Sequence, residues 1–211
     1  MKITKHGHAC LELEIGGSKL LIDPGFYTAS MAEIENVAAV VITHFHDDHC
    51  FPEQIEAIKA KNPAARLFGP QEVADKLTSQ KVEVVRHGDH HEVAEFALDF
   101  FGDLHQIIHR SIPVCQNTAV MVNSSLYYPG DSYTFPETQP EILAVPTSAP
   151  WLRISDVIDF LEVIKPKRAF STHNALLSEQ GNKLQNSRVK EFVEKHGGEF
   201  RYLEIGESWE L

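Results

Sequence analysis

Apolar runs in the first part of the chain are separated by short turns. Residues 9–15 partly alternate between apolar and polar side chains, and Gly16-Gly17 divides them from a second apolar run at 19–22. Two such segments joined by glycines predict a β-hairpin. Residues 37–42, Val-Ala-Ala-Val-Val-Ile, are continuously apolar and rich in β-branched side chains. A run of this kind is typical of a buried strand in a parallel sheet.

Four segments have helical patterns. Pro52 precedes the first, at 53–60, and a second proline opens the next, at 72–77, in keeping with the preference of proline for helix starts. Residues 154–164 place apolar side chains at helical spacing and predict one buried face, with Ser155 as a candidate N-cap. A fourth helix is predicted at 187–195. Further strands are predicted at 65–69, 82–85, 92–101, 118–122, 125–128, 142–145 and 200–204.

The segment that follows the apolar run 37–42 is crowded with metal-binding side chains. Within six residues it contains His44, His46, Asp48 and His49, spaced H-x-H-x-D-H. Neutral imidazole nitrogens and carboxylate oxygens are ligands of borderline cations such as zinc. Because the cluster lies between the end of a strand and a helix, it is placed where open α/β sheets bind their ligands.

The spacing favours two neighbouring ions over one. His44 and His46 are two residues apart, so extended backbone points both to the same side. Asp48 and His49 are adjacent and diverge unless the chain turns. Paired ions in hydrolases lie roughly 3.5–4 Å apart and share ligands. Two ions need more ligands than these four residues offer, so other segments must contribute.

Three further segments complete a resemblance to a known family. The cluster resembles the signature of the metallo-β-lactamase fold hydrolases. Residues 20–25 resemble the upstream aspartate motif of that superfamily, residues 128–132 its Gly-Asp motif and residues 170–174 its last histidine motif. The motifs occur in the family's order and span most of the chain. They are specific for the superfamily and say little about the substrate.

The resemblance implies a fold and a ligand set. The expected fold is an α/β protein (α+β in some schemes), a single domain over 1–211 built as a four-layer αββα sandwich of two mixed β-sheets flanked by helices. Asp23 would support the ligands or bind weakly as one, although Asp-Pro-Gly is also a good turn by itself. The implied ligands are His44, His46 and His105 for one metal, Asp48, His49 and His173 for the other, and Asp131 as a bridge between them.

The third histidine ligand is ambiguous. His105 follows a predicted strand end, as in the family motif, and His109 is the alternative. His87, His90 and His91 are interpreted as an exposed turn. Asp131 is preferred over other Gly-Asp pairs because a predicted strand runs directly into it.

Candidate substrate-pocket residues come from segments next to the ligands. Trp151 follows a strand end and is either a pocket wall or core packing. Thr43-His44 and Thr172-His173 both follow strands, which suggests two similar halves facing one cleft. The full set of pocket candidates is His8, His109, Tyr133, Trp151 and Asn174.

Composition narrows the class of protein. The 211 residues are 43% hydrophobic and 23% charged, which is typical of a globular protein. The net charge of −11 argues against nucleic acid as a partner. No segment has the roughly 20 apolar residues of a membrane span, and the start of the chain has no secretory pattern, so a cytoplasmic location is expected. Three cysteines without a C-x-x-C pair predict free thiols. The oligomeric state has no signal in the sequence.

The expected chemistry follows from the resemblance and the ligands. A hydroxide bridging two divalent metals would attack a small ester, lactone, thioester or phosphodiester, with Asp48 and Asp131 positioning it and handling its proton. Zinc is the expected metal, with manganese or iron as alternatives. Two other functions stay open: a nuclease-like phosphodiesterase acting on nucleic acid, and a non-hydrolytic diiron redox or metal-binding protein.

Overall fold

The computed structural model describes residues 1–210, which form two seven-stranded sheets and four helices. The strands of the first sheet are β1 (Lys2–Lys5), β2 (Leu11–Ile15), β3 (Ser18–Ile22), β4 (Val37–Val41), β5 (Arg66–Gly69), β6 (Val82–Val84) and β14 (Ser208–Glu210). Those of the second sheet are β7 (His90–Val93), β8 (Phe96–Phe101), β9 (Ala119–Val122), β10 (Leu126–Tyr128), β11 (Ile142–Pro146), β12 (Arg168–Thr172) and β13 (Glu199–Arg201). The helices are α1 (Pro52–Lys61), α2 (Gln71–Lys76), α3 (Ile154–Ile164) and α4 (Glu179–Lys195).

The two sheets have the same internal order. The first runs β14-β1-β2-β3-β4-β5-β6, and the second runs β7-β8-β9-β10-β11-β12-β13. In both, the pairs among the first four strands are antiparallel, and the pairs from the fourth strand to the seventh are parallel. One helix connects the fifth strand to the sixth, and another connects the sixth to the seventh. The described chain therefore contains two halves of similar topology.

Three hydrophobic clusters define the layers. The largest lies between the sheets and combines side chains such as Leu20 and Phe68 from the first sheet with Phe100 and Phe170 from the second. A second cluster joins the first sheet to α1 and α2, and a third joins the second sheet to α3 and α4. Burial of these apolar faces is the main favourable contribution to folding. The order helix, sheet, sheet, helix confirms the predicted αββα sandwich.

Two helix predictions need correction. Ser155 does not cap α3: the N-cap is Arg153 without a side-chain hydrogen bond, and the Ser155 hydroxyl contacts Asp156 instead. The fourth helix begins at Glu179 and not at residue 187, with Ser178 as the cap that accepts a hydrogen bond from the Gly181 N–H. The missed turns are polar and largely exposed, so hydrophobic periodicity does not reveal them.

One strand prediction was also wrong. Residues 92–101 are not one strand, because the chain turns at Ala94, where φ is 47°, and returns as β8 paired with β7. A turn without glycine carries a weak sequence signal. The last predicted strand, 200–204, is shorter, and β14 follows it at the edge of the other sheet.

No helix within residues 1–210 is both long enough and apolar enough to cross a membrane.

Candidate metal centre

The candidate site lies where loops of both sheets meet. The loop after β4 carries His44, His46, Asp48 and His49, as the sequence pattern predicts. The second sheet contributes His105, Asp131 and His173 from three separate loops. Because β4, β11 and β12 each pair with parallel neighbours, the loops at their carboxyl ends collect at one end of the sandwich.

Potential ligand atoms converge in three overlapping groups. The first contains His44, His46 and His105, the second His8, Asp48, His49 and His173, and the third His44, His49 and Asp131. Within each group the ligand atoms all lie within 4.8 Å of one another. The structure therefore brings together every residue of the expected ligand set and adds His8 to one group.

Asp131 is the residue that the imidazoles share. Its Oδ1 lies 3.2 Å from His49 Nε2, and its Oδ2 lies 3.4 Å from His105 Nε2 and 3.2 Å from His173 Nε2. Its side chain is almost fully buried, so the carboxylate is positioned among histidines of both sheets.

The inward-facing nitrogens lack hydrogen-bond partners. Nε2 of His8, His44, His49, His105 and His173 and Oδ1 of Asp131 are buried, and none has a partner among the described residues. An unpaired buried polar atom costs about 1–3 kcal/mol, so six at one point need a common explanation. Divalent cations bound among these side chains would supply one, and the His/Asp donor set fits such ions.

The opposite ring nitrogens explain why Nε2 is available. Nδ1–H of His44 donates to Thr43 Oγ1 at 3.1 Å, because the Thr43 hydroxyl already donates to Asp23. Nδ1–H of His105 donates to the carbonyl of Gln106 at 2.5 Å, and that of His173 donates to the carbonyl of Ser148. A proton held on Nδ1 leaves the Nε2 lone pair free for a metal.

Asp23 supports the first loop and belongs to none of the ligand groups in the described chain. Its Oδ1 accepts the Thr43 N–H, and its Oδ2 accepts the Thr43 hydroxyl and His49 Nδ1–H, all at 2.7 Å. The aspartate is fully buried at φ 48°, a conformation that aspartate tolerates better than most residues. The next turn residue, Gly25, packs so closely that an added Cβ would lie 1.8 Å from the carbonyl oxygen of Asp48.

Asp131 is held by two residues that flank it in space. Trp151 Nε1–H donates to Asp131 Oδ2 at 2.8 Å, and the Asp131 N–H donates to Asn117 Oδ1 at 2.9 Å. Gly130 has φ 60°, and a Cβ there would lie 2.5 Å from Asn117 Oδ1. Trp151 was expected to be a pocket wall or core packing, and the structure gives its indole a third role as a hydrogen-bond donor to the central carboxylate.

The electrostatic environment differs between the groups. Burial lowers the pKa of His44 well below its usual value, and neighbouring imidazoles lower it further. Burial also lowers the pKa of His173, but Asp131 and Asp48 outweigh this effect and raise it to about 9. Burial raises the pKa of Asp131, but His173 and His49 outweigh this effect and hold it well below the usual range. A cation in the carboxylate-rich group would displace protons from its histidines.

The fold places the remaining candidate histidines outside the groups of potential ligands. His109 lies on an exposed loop, where its Nδ1 contacts the Ser111 hydroxyl at 2.7 Å, so the third histidine brought to the centre is His105. His90 and His91 lie on β7 and not in a turn, and His90 pairs with Asp99.

The other pocket candidates lie beside the ligands with different surroundings. Asn174 is buried and accepts a hydrogen bond from Lys5 Nζ at 2.9 Å. Tyr133 packs edge-on against Trp151 at 5.3 Å, and its buried hydroxyl has no partner within residues 1–210. The His8 ring packs against that of His173 at a tilt of 51°, with ring centroids 3.9 Å apart. Burial lowers the pKa of His8 to about 4.

Sequence reasoning missed several supporting groups. Three of them form hydrogen bonds with potential ligands, but each is an ordinary polar residue without a motif of its own. They are Asn117, which contacts Asp131, Ser148, which contacts His173, and Thr43, which contacts His44. Cys115 Sγ lies 3.8 Å from His46 Nε2. The cysteines are free thiols, as predicted.

Comparison with known sequences identifies the family. Residues 2–173 match the model of the beta-lactamase superfamily domain. The chain is 34% identical over 198 residues to protein Rv0786c of Mycobacterium tuberculosis, covering 92% of this chain and 93% of that protein. It is 41% identical over 78 residues to a UPF0173 metal-dependent hydrolase of Aeropyrum pernix, covering 35% of this chain and 31% of the relative. The chain belongs to the beta-lactamase superfamily, as the motifs predicted.

Solved structures share the fold. Igni18, a metallo hydrolase of Ignicoccus hospitalis, matches with a TM-score of 0.73 at 20% identity, covering 100% of this chain and 98% of that one. CmlA, a diiron β-hydroxylase of Streptomyces venezuelae, matches with a TM-score of 0.78 at 14% identity, covering 100% of this chain and 54% of that one. The same fold is thus found in a metallo hydrolase and in a diiron β-hydroxylase, so the fold alone does not decide the reaction.

Proposed function

We propose that this protein is a metal-dependent hydrolase that holds two divalent ions and acts on a small ester, lactone, thioester or phosphodiester. One observation carries the proposal. Buried atoms without hydrogen-bond partners lie in overlapping groups of potential ligands, and the group that contains Asp131 shares His44 with one of the other two and His49 with the other. Relatives described as metal-dependent or metallo hydrolases support the same reaction class.

The residues divide between the two ions by position. His44, His46 and His105 would hold one ion, Asp48, His49 and His173 the other, and Asp131 would contact both. Two bound ions would lower the pKa of a coordinated water towards 7 and stabilise negative charge on the substrate. Histidine-rich ligation favours zinc, while manganese or iron fit where carboxylates contribute.

The two carboxylates have different access to solvent. The Asp48 side chain is 26% exposed, whereas that of Asp131 is 4% exposed. Trp151 holds Asp131 by a hydrogen bond, so the role of Asp131 would be to position the attacking hydroxide. Asp48 lies on the open side, where a carboxylate can accept a proton from water or pass one to a leaving group.

The surroundings favour a small substrate with an apolar part. Phe26, on the loop after Asp23, is 59% exposed, and Leu104 and Ile107, next to His105, are 60% and 62% exposed. Apolar side chains left exposed beside a polar centre are typical of ligand sites. The net charge of −11 weighs against nucleic acid. A histidine at position 46, where diiron relatives typically have a carboxylate, weighs against diiron chemistry.

Metal analysis joined to a substrate panel tests the proposal. Purified protein reconstituted with zinc should bind about two equivalents and hydrolyse lactones, esters or model phosphodiesters. His46→Ala should lose the first ion and most turnover. His90→Ala is the matched control, since this exposed histidine on β7 pairs with Asp99 and belongs to none of the ligand groups, and it should behave like the wild type. Binding of one ion or none by the wild-type protein would refute the proposal.

A further inference from the structure

His8 occupies a place in the first sheet that corresponds to His105 in the second. His8 lies between β1 and β2, and His105 lies between β8 and β9. Both connections join the second and third strands of their sheets, counted from the antiparallel edge. Both histidines are buried, and both face the ligand groups.

By distance alone, His8 could be an additional metal ligand. Its Nε2 lies 3.3 Å from Asp48 Oδ2. Its ligand atom is within 4.8 Å of those of Asp48, His49 and His173. Distance does not distinguish a ligand from a hydrogen-bond donor, however, because both place a ring nitrogen beside the carboxylate.

The other ring nitrogen distinguishes them. The backbone N–H of Ala175 donates to His8 Nδ1 at 3.1 Å. A backbone amide nitrogen can only donate, so Nδ1 must present its lone pair, and the proton of the neutral ring resides on Nε2. His105 and His173 are reversed, since their Nδ1–H groups donate to carbonyls. His8 therefore has the opposite tautomer from the ligand histidines.

We propose that His8 does not bind a metal and is a positioning residue, whose Nε2–H donates to Asp48 Oδ2 and orients that carboxylate. This inference rests on the proposed two-metal function. Within residues 1–210, His8 Nε2 has no aligned hydrogen-bond partner, and Asp48 Oδ2 is the carboxylate oxygen that lies beside it, at 3.3 Å. His8 also accepts the His173 N–H through its carbonyl at 2.7 Å, which ties the two sheets together beside the site.

The tautomer has a consequence for catalysis. With His8 as a ligand, the second ion would have Asp48, His49, His173, His8 and Asp131 around it. Catalytic metal sites keep a position open for water or substrate. A protonated Nε2 cannot donate electrons to an ion, so His8 fills space beside the second ion without occupying a coordination position.

Two substitutions of similar size separate the roles. His8→Gln keeps an N–H donor and is a poor zinc ligand, whereas His8→Glu provides a good metal ligand and no donor, and it places a negative charge against Asp48. We expect His8→Gln to retain about two metal equivalents, an unchanged visible spectrum with cobalt, and turnover at least about tenfold above that of His8→Glu. The reverse order, or loss of one ion in His8→Gln, would show that His8 is a ligand.

A direct measurement of which ring nitrogen of each histidine carries the proton complements the variants. Nitrogen-15 NMR of the imidazoles in the zinc-loaded wild-type protein should show His8 protonated on Nε2 and His105 protonated on Nδ1. A zinc-bound Nε2 at His8 would overturn the inference. Failure of the wild-type protein to bind two ions would instead count against the proposed function, and the His8 tautomer can then still be measured in the metal-free protein.

Discussion

The two sheets have the same strand order, yet they contribute to the centre in different ways. In the first sheet the loop after the fifth strand, β4, carries four of the proposed ligands. In the second sheet the loop after the fifth strand, β11, provides the Ser148 carbonyl and the Trp151 indole, which hold ligands by hydrogen bonds. The second sheet places His173 after its sixth strand instead. Equivalent loops thus carry either proposed ligands or groups that hydrogen-bond to them.

The aspartates that follow the fourth strand of each sheet show why one residue supports ligands and another is proposed to bind metal. Asp23 follows β3, and Asp131 follows β10, at corresponding places in the two sheets. Asp23 accepts three hydrogen bonds from Thr43 and His49, so its oxygens are occupied. Asp131 accepts one from Trp151 and keeps Oδ1 unpaired. Asp131 therefore keeps more lone pairs free for a metal than Asp23 does, and this difference in hydrogen bonding distinguishes the two aspartates.

The largest expected effect is that of Asp131→Asn. Asp131 lies within 3.4 Å of three imidazoles from both sheets, and an amide is a much weaker bridge than a carboxylate. We expect loss of two-metal binding and a fall in turnover on the order of 10³-fold or more. Metal analysis and steady-state kinetics measure both. Retention of two ions would show that Asp131 does not join the halves.

Asp23→Asn tests the other aspartate of the compared pair, which is proposed to support ligands and not to bind metal. Losing a carboxylate that orients a ligating imidazole typically costs about 10–100-fold in metal affinity, without loss of a binding position. We expect that range in a zinc competition titration, with the stoichiometry unchanged. Asp89→Asn is the control, since this half-buried aspartate also accepts a backbone N–H, from Arg86, and belongs to none of the ligand groups. Loss of a whole metal equivalent in Asp23→Asn would make Asp23 a ligand and remove the contrast with Asp131.

The second strands of the two sheets, β1 and β8, end in residues that should affect the pH dependence of stability differently. β1 ends with buried Lys5, where β8 ends with Phe101. Burial lowers the pKa of Lys5 from 10.5 to about 8, although Glu204 opposes this shift. Between pH 8 and pH 10.5 the unfolded chain therefore holds more protons than the folded one, so the free energy of unfolding rises with pH in this window.

Lys5→Met should remove that rise. The shift corresponds to a difference of about 3 kcal/mol between the variant and the wild type across the window from pH 8 to 10.5. Chemical denaturation of both proteins at several pH values, with the metal content matched, measures it. Parallel curves for the two proteins would mean that Lys5 titrates normally.

The smallest expected effect concerns the helices that cover the second sheet. Ser178 caps α4 through a hydrogen bond from the Gly181 N–H, whereas Ser155 at the start of α3 makes no such bond. Ser178→Ala should lower the free energy of unfolding by about 1 kcal/mol. Ser155→Ala should change it by less than about 0.5 kcal/mol. Equal losses in thermal or denaturant unfolding would contradict the assigned caps.

The amino-acid sequence by itself determined the local parts of this protein. The apolar run before His44 and the compact spacing from His44 to His49 predicted a strand that ends in metal ligands, because neighbours in sequence share one loop. Apolar periodicity likewise located α3, and Pro52 marked the start of α1. The start of α4 and the turn at Ala94 were missed because neither has an apolar or glycine signal.

Only the tertiary structure decided the roles that depend on distant partners. The choice of His105 over His109, the indole of Trp151 on Asp131 and the tautomer of His8 all rest on contacts between segments far apart in the chain. A histidine or aspartate has the same chemistry wherever it occurs. Its role as ligand, donor or support is set by the hydrogen-bond partners that the two sheets bring to it. Those partners come from distant segments, so no fixed spacing in the sequence reveals them.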